Sequence, residues 1–516
     1  FIKDYKEFPY IPHMGDKGYL CLYDIEGVLI GKNLKGILMQ LLKRMHSILL
    51  KGIQGDNKID FIEEFQSYWE RLPKIKDVKS FVKISNEIKV IKYSDDKEVV
   101  KKRKNENYVD LLHKQNKYTL FASDTGNEFS LYEKVNPIKN GVYIYIGTND
   151  FILPPDWRKD FTITFIKELI NHPSVPKSKL DECLNKCQRQ TLLLFGVKQP
   201  NNIINTFGVL IDDLSCLFNE SANKIGPSLD IIPCSIIRCD REFLLNRGGL
   251  YRNMEELRLL VIGCGSIGGY LTNEIVKTGF TNIDLVDNDI LKEENTYRHL
   301  LGLEYVNKYK SVALSNFIMK NFTDVKVTSH VDTIEELITE GDISFEQYDI
   351  IISAVGNHNV NRWINQYIHD NQINKPIIYL WNEVLGIGNH VSIISLEHDC
   401  CYECFFSEDE EGIYDRTSYC ERGQLFTRRV QGCGSSFLPY SSLNSLTSVI
   451  AGVKTVIKYI EGKINDNYLI SIKGDDWYLR EAGFKPSERF LKQNEKELII
   501  EGKKIKNDSC TCCKKI

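Results

Sequence analysis

The stretch "QGCGSSFLPYSS", Gln431 to Ser442, sets Cys433 between Gly432 and Gly434 and close behind Arg428 and Arg429. A thiol in that position is a buried apolar residue, a metal ligand or a nucleophile; backbone room and nearby positive charge favour a reactive thiolate. Cys420, in "SYCERG", competes for the same role. Two CxxC pairs lie further out, Cys401 and Cys404 in "CCYECFF" and Cys510 and Cys513 in the tail "SCTCCKKI". Such pairs offer four thiolates with the short bite of a tetrahedral Zn²⁺ site, although Cys400 and Cys512 leave the register open. Near the other end, "IPHMGDKGYLCLYD" puts Cys21 behind a turn-rich segment, where a buried strand cysteine and a reactive one both fit.

A second constellation suits a nucleotide. Apolar "LRLLVIG" leads into "GCGSIGG" and amphipathic "YLTNEIVKTG", which predicts strand, glycine turn and helix. Gly263, Gly265 and Gly268 then stand where a backbone must approach a phosphate. Asp287 follows about 20 residues on, at the end of the next strand, where a carboxylate can accept hydrogen bonds from ribose hydroxyls. Up to this point a nicotinamide dehydrogenase fits equally well. The next segment, "DNDILKEENTYRHLLGLEYVNKYKS", gathers Asp289, Asn295, Arg298 and Lys310. Hydride transfer has no evident need of that set, whereas attack of a carboxylate on the α-phosphorus of ATP needs cations to neutralise triphosphate charge.

The elements that must position these groups follow from the pattern. From about residue 246 strand and helix signals alternate through "NIDLVDND", "KSVALSNFIMKNF", "YDIIISAVG" and "PIIYLWNEV", which predicts a doubly wound α/β domain with a mostly parallel sheet. Residues 1–74 predict a turn-rich piece and two helices, residues 75–237 an α+β linker domain without a recognised active site, and residues 238–516 the nucleotide-binding domain. In the linker, Cys183, Cys187, Cys216, Cys234 and Cys239 lack ligand spacing, and "KKRKNEN" suits a solvated loop.

Composition narrows the class. A chain of 516 residues with 42% hydrophobic and 26% charged residues is globular in type, and a net charge of −4 argues against broad nucleic-acid binding. No apolar run approaches the ~18 residues of a membrane span and no signal-peptide core opens the chain. The expected location is the cytoplasm, where the 15 cysteines stay thiols, ligands or catalytic groups. The first residue is Phe, which suggests that a natural N-terminus is missing.

From about Arg238 onward the sequence resembles the ThiF, MoeB and ubiquitin-activating superfamily, whose members adenylate the C-terminal carboxylate of a small protein. The resemblance implies a Rossmann-like adenylation domain that uses ATP and Mg²⁺. It puts Asp287 on the ribose and Asn295, Arg298 and Lys310 on the phosphates. Arg241, in "REFLLNRGG", looks like the arginine that reaches into a dimer partner's site, which implies a homodimer. It also implies a structural Zn²⁺ site and a nucleophile at Cys433, between the first CxxC and the apolar helix "SLNSLTSVIAGVKTVIKYIEG". Two positions depart from the family pattern: Asn307 stands where Gly is common, and Gly356 where a Mg²⁺-binding Asp is common, with Asp289 a candidate substitute.

The segment around Cys21 resembles the ubiquitin-conjugating signature, in which His-Pro-Asn precedes a Gly and then the thioester cysteine. Matching Cys21 to that cysteine puts Pro12 on the Pro and His13 on the Asn, as a donor for the thioester oxyanion. A partial α+β conjugating-like piece, a linker and a ThiF-like domain in this order resemble the Cap-two family, the ubiquitin-transferase-like proteins of bacterial CBASS antiphage operons. The substrate implied is the C-terminus of a cGAS/DncV-like nucleotidyltransferase, passed between cysteines and joined to a target amine. A sulfur-carrier activator of the ThiF or MoeB kind, which needs no Cys21, and a non-catalytic nucleotide-binding scaffold are the alternatives.

Overall fold

A computed structural model of the chain describes residues 1–23, 32–95, 119–126, 136–200, 202–218, 231–249, 254–426, 428–429, 436–437 and 439–513. They form two compact units, Phe1–Leu244 and Leu245–Ile516.

In the first unit, a turn-rich segment precedes helix α1 (Leu34–Gln54), whose N-cap Asn33 accepts from the Gly36 N–H and which ends at Gly55 in the left-handed region, φ 77°. The second helix expected from the sequence is two short ones, α2 (Lys58–Glu63) and α3 (Phe65–Trp69), interrupted at Glu64 with φ −100° and ψ 14°. Among the described residues of 1–74 the only strand-like pairing is an isolated bridge between Met14 and Leu20.

The linker region is a closed barrel of β1 (Lys76–Ser80), β2 (Lys89–Asp95), β3 (Thr119–Ser123), β4 (Asn136–Gly147), β5 (Thr191–Lys198), β6 (Ile204–Ile211) and β7 (Ile231–Arg238), in the order β1-β3-β2-β4-β5-β6-β7. Helices α4 (Ile163–Ile170) and α5 (Lys177–Leu184) bury their apolar stripes, Ile166, Leu169 and Ile170 on one and Leu180, Cys183 and Leu184 on the other. The two segments expected as separate domains share one core. Phe65 stacks on Phe207 with ring centroids 5.1 Å apart, Trp69 lies 4.4 Å from the same ring, and Trp69 Nε1 donates to the Cys234 carbonyl at 2.9 Å.

Helix α6 (Arg241–Arg247) follows the barrel. The second unit is built on a sheet of β8 (Met254–Ile262), β9 (Phe280–Val286), β10 (Lys326–His330), β11 (Ile350–Ser353), β12 (Ile377–Asn382), β13 (Gly388–Ile394), β18 (Tyr468–Lys473) and β19 (Glu497–Glu501). Their order is β10-β9-β8-β11-β12-β13-β18-β19. Pairing is parallel from β10 to β12 and antiparallel from β12 to β19, so the parallel expectation holds for the nucleotide-binding half. Between β13 and β18 lie two short antiparallel pairs, β14 (Phe406–Asp409) with β15 (Gly412–Asp415) and β16 (Arg428–Arg429) with β17 (Ser436–Phe437).

Helices cover both faces, as buried parallel strands require. One face packs α7 (Ser266–Lys277), α8 (Lys310–Asn321) and α11 (Ser442–Ile460), through residues such as Leu271, Leu314 and Val449. The other packs α9 (Ile334–Glu340) and α10 (His358–Asp370), through Leu337 and Ile364 among others. In α11, Gly452 lets the helix approach the sheet: a Cβ there would lie 2.5 Å from Leu380 Cδ2. No described helix is long and apolar enough to cross a membrane.

Candidate active site

Gly263 and Gly265, between β8 and α7, and Gly268, in the first turn of α7, are required for different reasons. Gly263 has φ +90°, and a Cβ on it would lie 2.9 Å from the Ala354 carbonyl carbon; a Cβ on Gly268 would lie 1.8 Å from the Gly263 oxygen. Both are demanded by the protein's own packing. At Gly265 a Cβ would meet nothing within 4 Å, so this glycine faces open space at the start of α7. A helix N-terminus bared in this way suits a phosphate.

Asp287 closes the turn from the next strand. Its Oδ2 accepts from the Cys264 N–H at 2.7 Å and its Oδ1 from the Asp289 N–H at 2.8 Å. Burial raises its pKa, against the opposing pull of Lys310 and these two amides. Lys310, the first residue of α8, places Nζ 2.6 Å from Asp289 Oδ2. The Arg298 guanidinium lies 5.2 Å from the Tyr440 ring centre, and Tyr440 Oη is 2.9 Å from Ser266 Oγ. Asn295 Oδ1 accepts from the Lys292 N–H at 3.1 Å.

These groups line one cavity of about 490 Å³ at the carboxyl ends of the parallel strands, together with Asp332, Gly356 and Asn382. Eight residues singled out in the sequence are on its wall: Gly263, Gly265, Asp287, Asp289, Asn295, Arg298, Lys310 and Gly356. Gly268 is not; it acts behind the wall by packing. Sequence reasoning missed Ser266, Asp332, Asn382 and Tyr440. Asp332 had a usable signal, since it follows β10 at the same edge of the sheet as Asp287.

The two departures from the family pattern have backbone explanations. Asn307 has φ 66°, a left-handed conformation that asparagine tolerates better than most residues, so it keeps the shape a glycine would take. Gly356 has φ +66° with open space around its Cβ direction. Asp289 and Asp332 supply carboxylates on the wall of the same cavity. The wall therefore fits ATP with Mg²⁺: amides and cations for phosphate, Asp287 for a ribose, and two carboxylates for a hard cation.

The thiol register left open by the sequence is resolved by position. Cys401, Cys404, Cys510 and Cys513 bring their ligand atoms within 4.8 Å of one another. Sγ separations are 4.0 Å for Cys401–Cys404, 3.6 Å for Cys401–Cys510 and 3.5 Å for Cys404–Cys513. Cys512 lies beside the cluster but donates to Gln366 Oε1 at 2.8 Å, and Cys400 donates to the Cys401 carbonyl. Four thiols within this reach of one another fit a closed structural Zn²⁺ site.

Cys433 lies outside the described residues, between β16 and β17. Its competitor Cys420 does not: it is buried, its N–H donates to Glu383 Oε2 at 3.2 Å, and burial together with the Glu383 charge pushes its pKa up. That environment suppresses a thiolate. Glu383 belongs to a buried polar network. It accepts from Ser418 Oγ at 2.6 Å, from the Tyr419 N–H at 2.7 Å and from His390 Nε2 at 2.8 Å, while His390 Nδ1 is 2.9 Å from Ser471 Oγ. This network fixes residues 418–420 to β13 and β18.

In the first unit Cys21 is exposed, and its N–H donates to the His13 carbonyl at 2.9 Å. The oxyanion-donor role expected of His13 does not fit its surroundings. Its Nδ1 is 2.9 Å from Glu64 Oε1 and its Nε2 3.1 Å from Asp60 Oδ2, so both ring nitrogens are committed. Arg241 begins α6 with 8% of its surface exposed.

Residues 241–487 match the ThiF family and residues 1–78 match Prokaryotic E2 family B. The chain joins an E2-like N-terminal segment to a ThiF domain. It is 24% identical over 321 residues to the ATP-dependent ubiquitin transferase-like protein Cap2 of Escherichia coli (strain TW11681), covering 57% of this chain and 52% of that one. To the protein of the same name from Vibrio cholerae it is 26% identical over 244 residues, covering 45% and 41%. The chain thus spans about half the length of these relatives or less. A crystal structure of E. coli MccB with succinimide has 17% identity and a TM-score of 0.37 over 53% of this chain and 69% of that one. Within the ThiF domain, the cavity lies at the carboxyl ends of the parallel strands, whereas Cys401, Cys404 and Cys510 share the core of α9 and α10.

Proposed function

We propose that the chain activates the C-terminal carboxylate of a protein with ATP, takes the acyl group onto Cys433, and passes it by way of Cys21 to an amine. The observation that carries this reading is the single cavity joining the Gly265 helix start, Asp287, Arg298 and Lys310 beside the carboxylates Asp289 and Asp332. Asp287 orients the ribose, the α7 amides with Asn295 and Arg298 bind the phosphates, and Lys310 stabilises charge on the leaving pyrophosphate. Mg²⁺ held at Asp289 and Asp332 supplies further charge neutralisation when bound.

In the chemistry proposed, a carboxylate oxygen of the partner attacks the α-phosphorus, and pyrophosphate leaves with the bonding electrons. The Cys433 thiolate then attacks the carbonyl carbon and AMP leaves. Thiol exchange moves the acyl group to Cys21, and an amine displaces that thiolate, losing a proton as the amide forms. Exchange between thioesters changes the energy little, so the second thiol serves to present the acyl group to its acceptor. Arg241 completes the cavity of a second copy in a homodimer, a structural Zn²⁺ sits in the four-thiol cluster, and the setting is the cytoplasm, where thiols stay reduced. The partner is a cGAS/DncV-like nucleotidyltransferase of an antiphage system, a reading supported by the similarity to the Cap2 proteins.

Intact-mass spectrometry of the chain incubated with ATP and this partner tests the proposal. A DTT-labile adduct that survives Cys21→Ala and disappears in Cys433→Ala is expected, with DTT-resistant conjugates requiring both cysteines. An adduct that forms normally in Cys433→Ala would overturn the thiol assignment. Conjugation undiminished in Cys21→Ala would reduce the E2-like segment to a docking module.

A further inference from the structure

The thiol side chain of Cys21 sits in a loop whose shape is dictated from outside it. His13 adopts φ 62°, in the left-handed region, and its carbonyl accepts the Cys21 N–H at 2.9 Å. The pairing continues inward through the Met14–Leu20 bridge and the bond from the Gly15 N–H to the Tyr19 carbonyl at 2.7 Å. The loop is thus closed on itself by main-chain bonds, and His13 is where it meets the helices.

From α2 comes Asp60, 3.1 Å from Nε2; from the break between α2 and α3 comes Glu64, 2.9 Å from Nδ1. From α3 comes Tyr68, whose Oη accepts the His13 N–H while its own O–H donates to Glu64 Oε2 at 2.7 Å. Beyond α3, Arg71 donates to the Met14 carbonyl at 2.9 Å and lies over the Tyr68 ring at 5.1 Å. Tyr10 approaches from the loop side, 6.1 Å ring to ring from Tyr68. The charged or titratable groups around the imidazole are therefore Asp60, Glu64, Arg71 and the two phenols.

A neutral imidazole has one N–H and one lone pair. With a carboxylate at each nitrogen, the neutral ring would point a lone pair at an anion, whereas the imidazolium donates twice. We infer that Asp60 and Glu64 are positioning residues for Cys21, holding His13 as a doubly donating cation that fixes the loop carrying the thiol. The inference rests on the proposed role of Cys21 as an acyl acceptor. It also explains the interruption of the helix at Glu64, which sits at the junction of α2 and α3 with its carboxylate on His13. The Glu64 hydrogen bond raises the His13 pKa above its ordinary 6.5 against partial burial, and Asp60 adds to the rise. The clamp is then complete below pH 6.5 and is lost as pH rises through the higher folded value.

The test uses the full chain with Glu64→Gln and, separately, Asp60→Asn. Three quantities are read: the His13 titration by NMR of ¹³C-labelled histidine, hydrogen–deuterium exchange of the peptide containing the Cys21 amide, and the single-turnover rate of acyl transfer from Cys433 to Cys21. The expected result is a lowered His13 pKa, faster exchange at Cys21, and transfer slowed about tenfold or more, with charging of Cys433 unchanged. The pH at which transfer falls off should move down with the His13 pKa. Unaltered exchange and transfer in both variants, despite a shifted His13 titration, would overturn the clamp. If Cys21→Ala conjugates as fast as wild type, the relay reading fails, and exchange at the Cys21 amide still decides the clamp.

Discussion

Lys310 is bound to Asp289 twice: its main-chain N–H donates to the Asp289 carbonyl at 2.8 Å, and its Nζ lies 2.6 Å from Asp289 Oδ2. The two side chains differ sharply in exposure, 12% for Lys310 and 69% for Asp289. The lysine stem is packed and its ammonium is held at the cavity wall, while the carboxylate keeps a face open to solvent. One anion can thus orient the cation and still meet a metal ion.

Asp289→Ala should raise the Mg²⁺ concentration giving half-maximal ATP/pyrophosphate exchange by about tenfold, the loss of one carboxylate ligand from a site with a second at Asp332. A Mg²⁺ titration of exchange measures this. An unchanged Mg²⁺ requirement would assign Asp289 to Lys310 alone.

Protein purified without chelator should carry about one Zn²⁺ per chain by elemental analysis. Cys404→Ser and Cys513→Ser should lose it, whereas Cys400→Ser and Cys512→Ser should retain it, because those two thiols are bonded to Cys401 O and Gln366 instead. Loss of metal from the last two would mean a different ligand register.

Glu383→Ala should destabilise the ThiF domain by about 2–4 kcal/mol, since it leaves His390 and the Ser418 and Tyr419 donors buried without their acceptor. Denaturant unfolding reads the change. Burial works to raise the Glu383 pKa, but His390, Ser418 and the Tyr419 amide outweigh it and hold it below the ordinary 4.5. The stabilisation is therefore present above pH 4.5 and lost as pH falls through the lower folded value; wild type should lose it there and Glu383→Ala should not.

Cys420→Ser should leave thioester formation within about twofold of wild type, because a thiol beside a buried carboxylate is a poor thiolate and does not act as the nucleophile. Rates of adduct formation followed by non-reducing electrophoresis decide it. Loss of the adduct in Cys420→Ser would transfer the nucleophile's role from Cys433 to Cys420.

What could be read from the sequence was whatever is local. Gly263, Gly265 and Gly268 form one turn, and the helix that follows starts within the same few residues, so spacing alone located them. The four thiols were legible as two short bites, but the choice of Cys510 and Cys513 over Cys512 depends on Gln366 and Asn365, more than 140 residues away, taking the third thiol. The barrel was illegible for the same reason: β1 pairs in parallel with β3 and β7, so its register is set by strands distant in sequence. The carboxylate partners of His13 had no signal, because Asp60 on α2 and Glu64 at the break between α2 and α3 belong to no motif. Tyr440 stood inside the stretch that drew attention to Cys433, yet its contact with Ser266, 174 residues away, has no signal in spacing.

The cavity around Lys310 is proposed to adenylate a protein carboxylate. Partner-dependent exchange of labelled pyrophosphate into ATP measures that step alone, before any thiol acts. Wild type and Cys433→Ala should exchange at similar rates with the nucleotidyltransferase partner present, and Lys310→Ala should fall by about 10²–10³-fold, the loss expected for one preorganised charge-stabilising group. Exchange that persists in Lys310→Ala, or that never appears in wild type with the partner, would contradict the account and leave a nucleotide-binding scaffold.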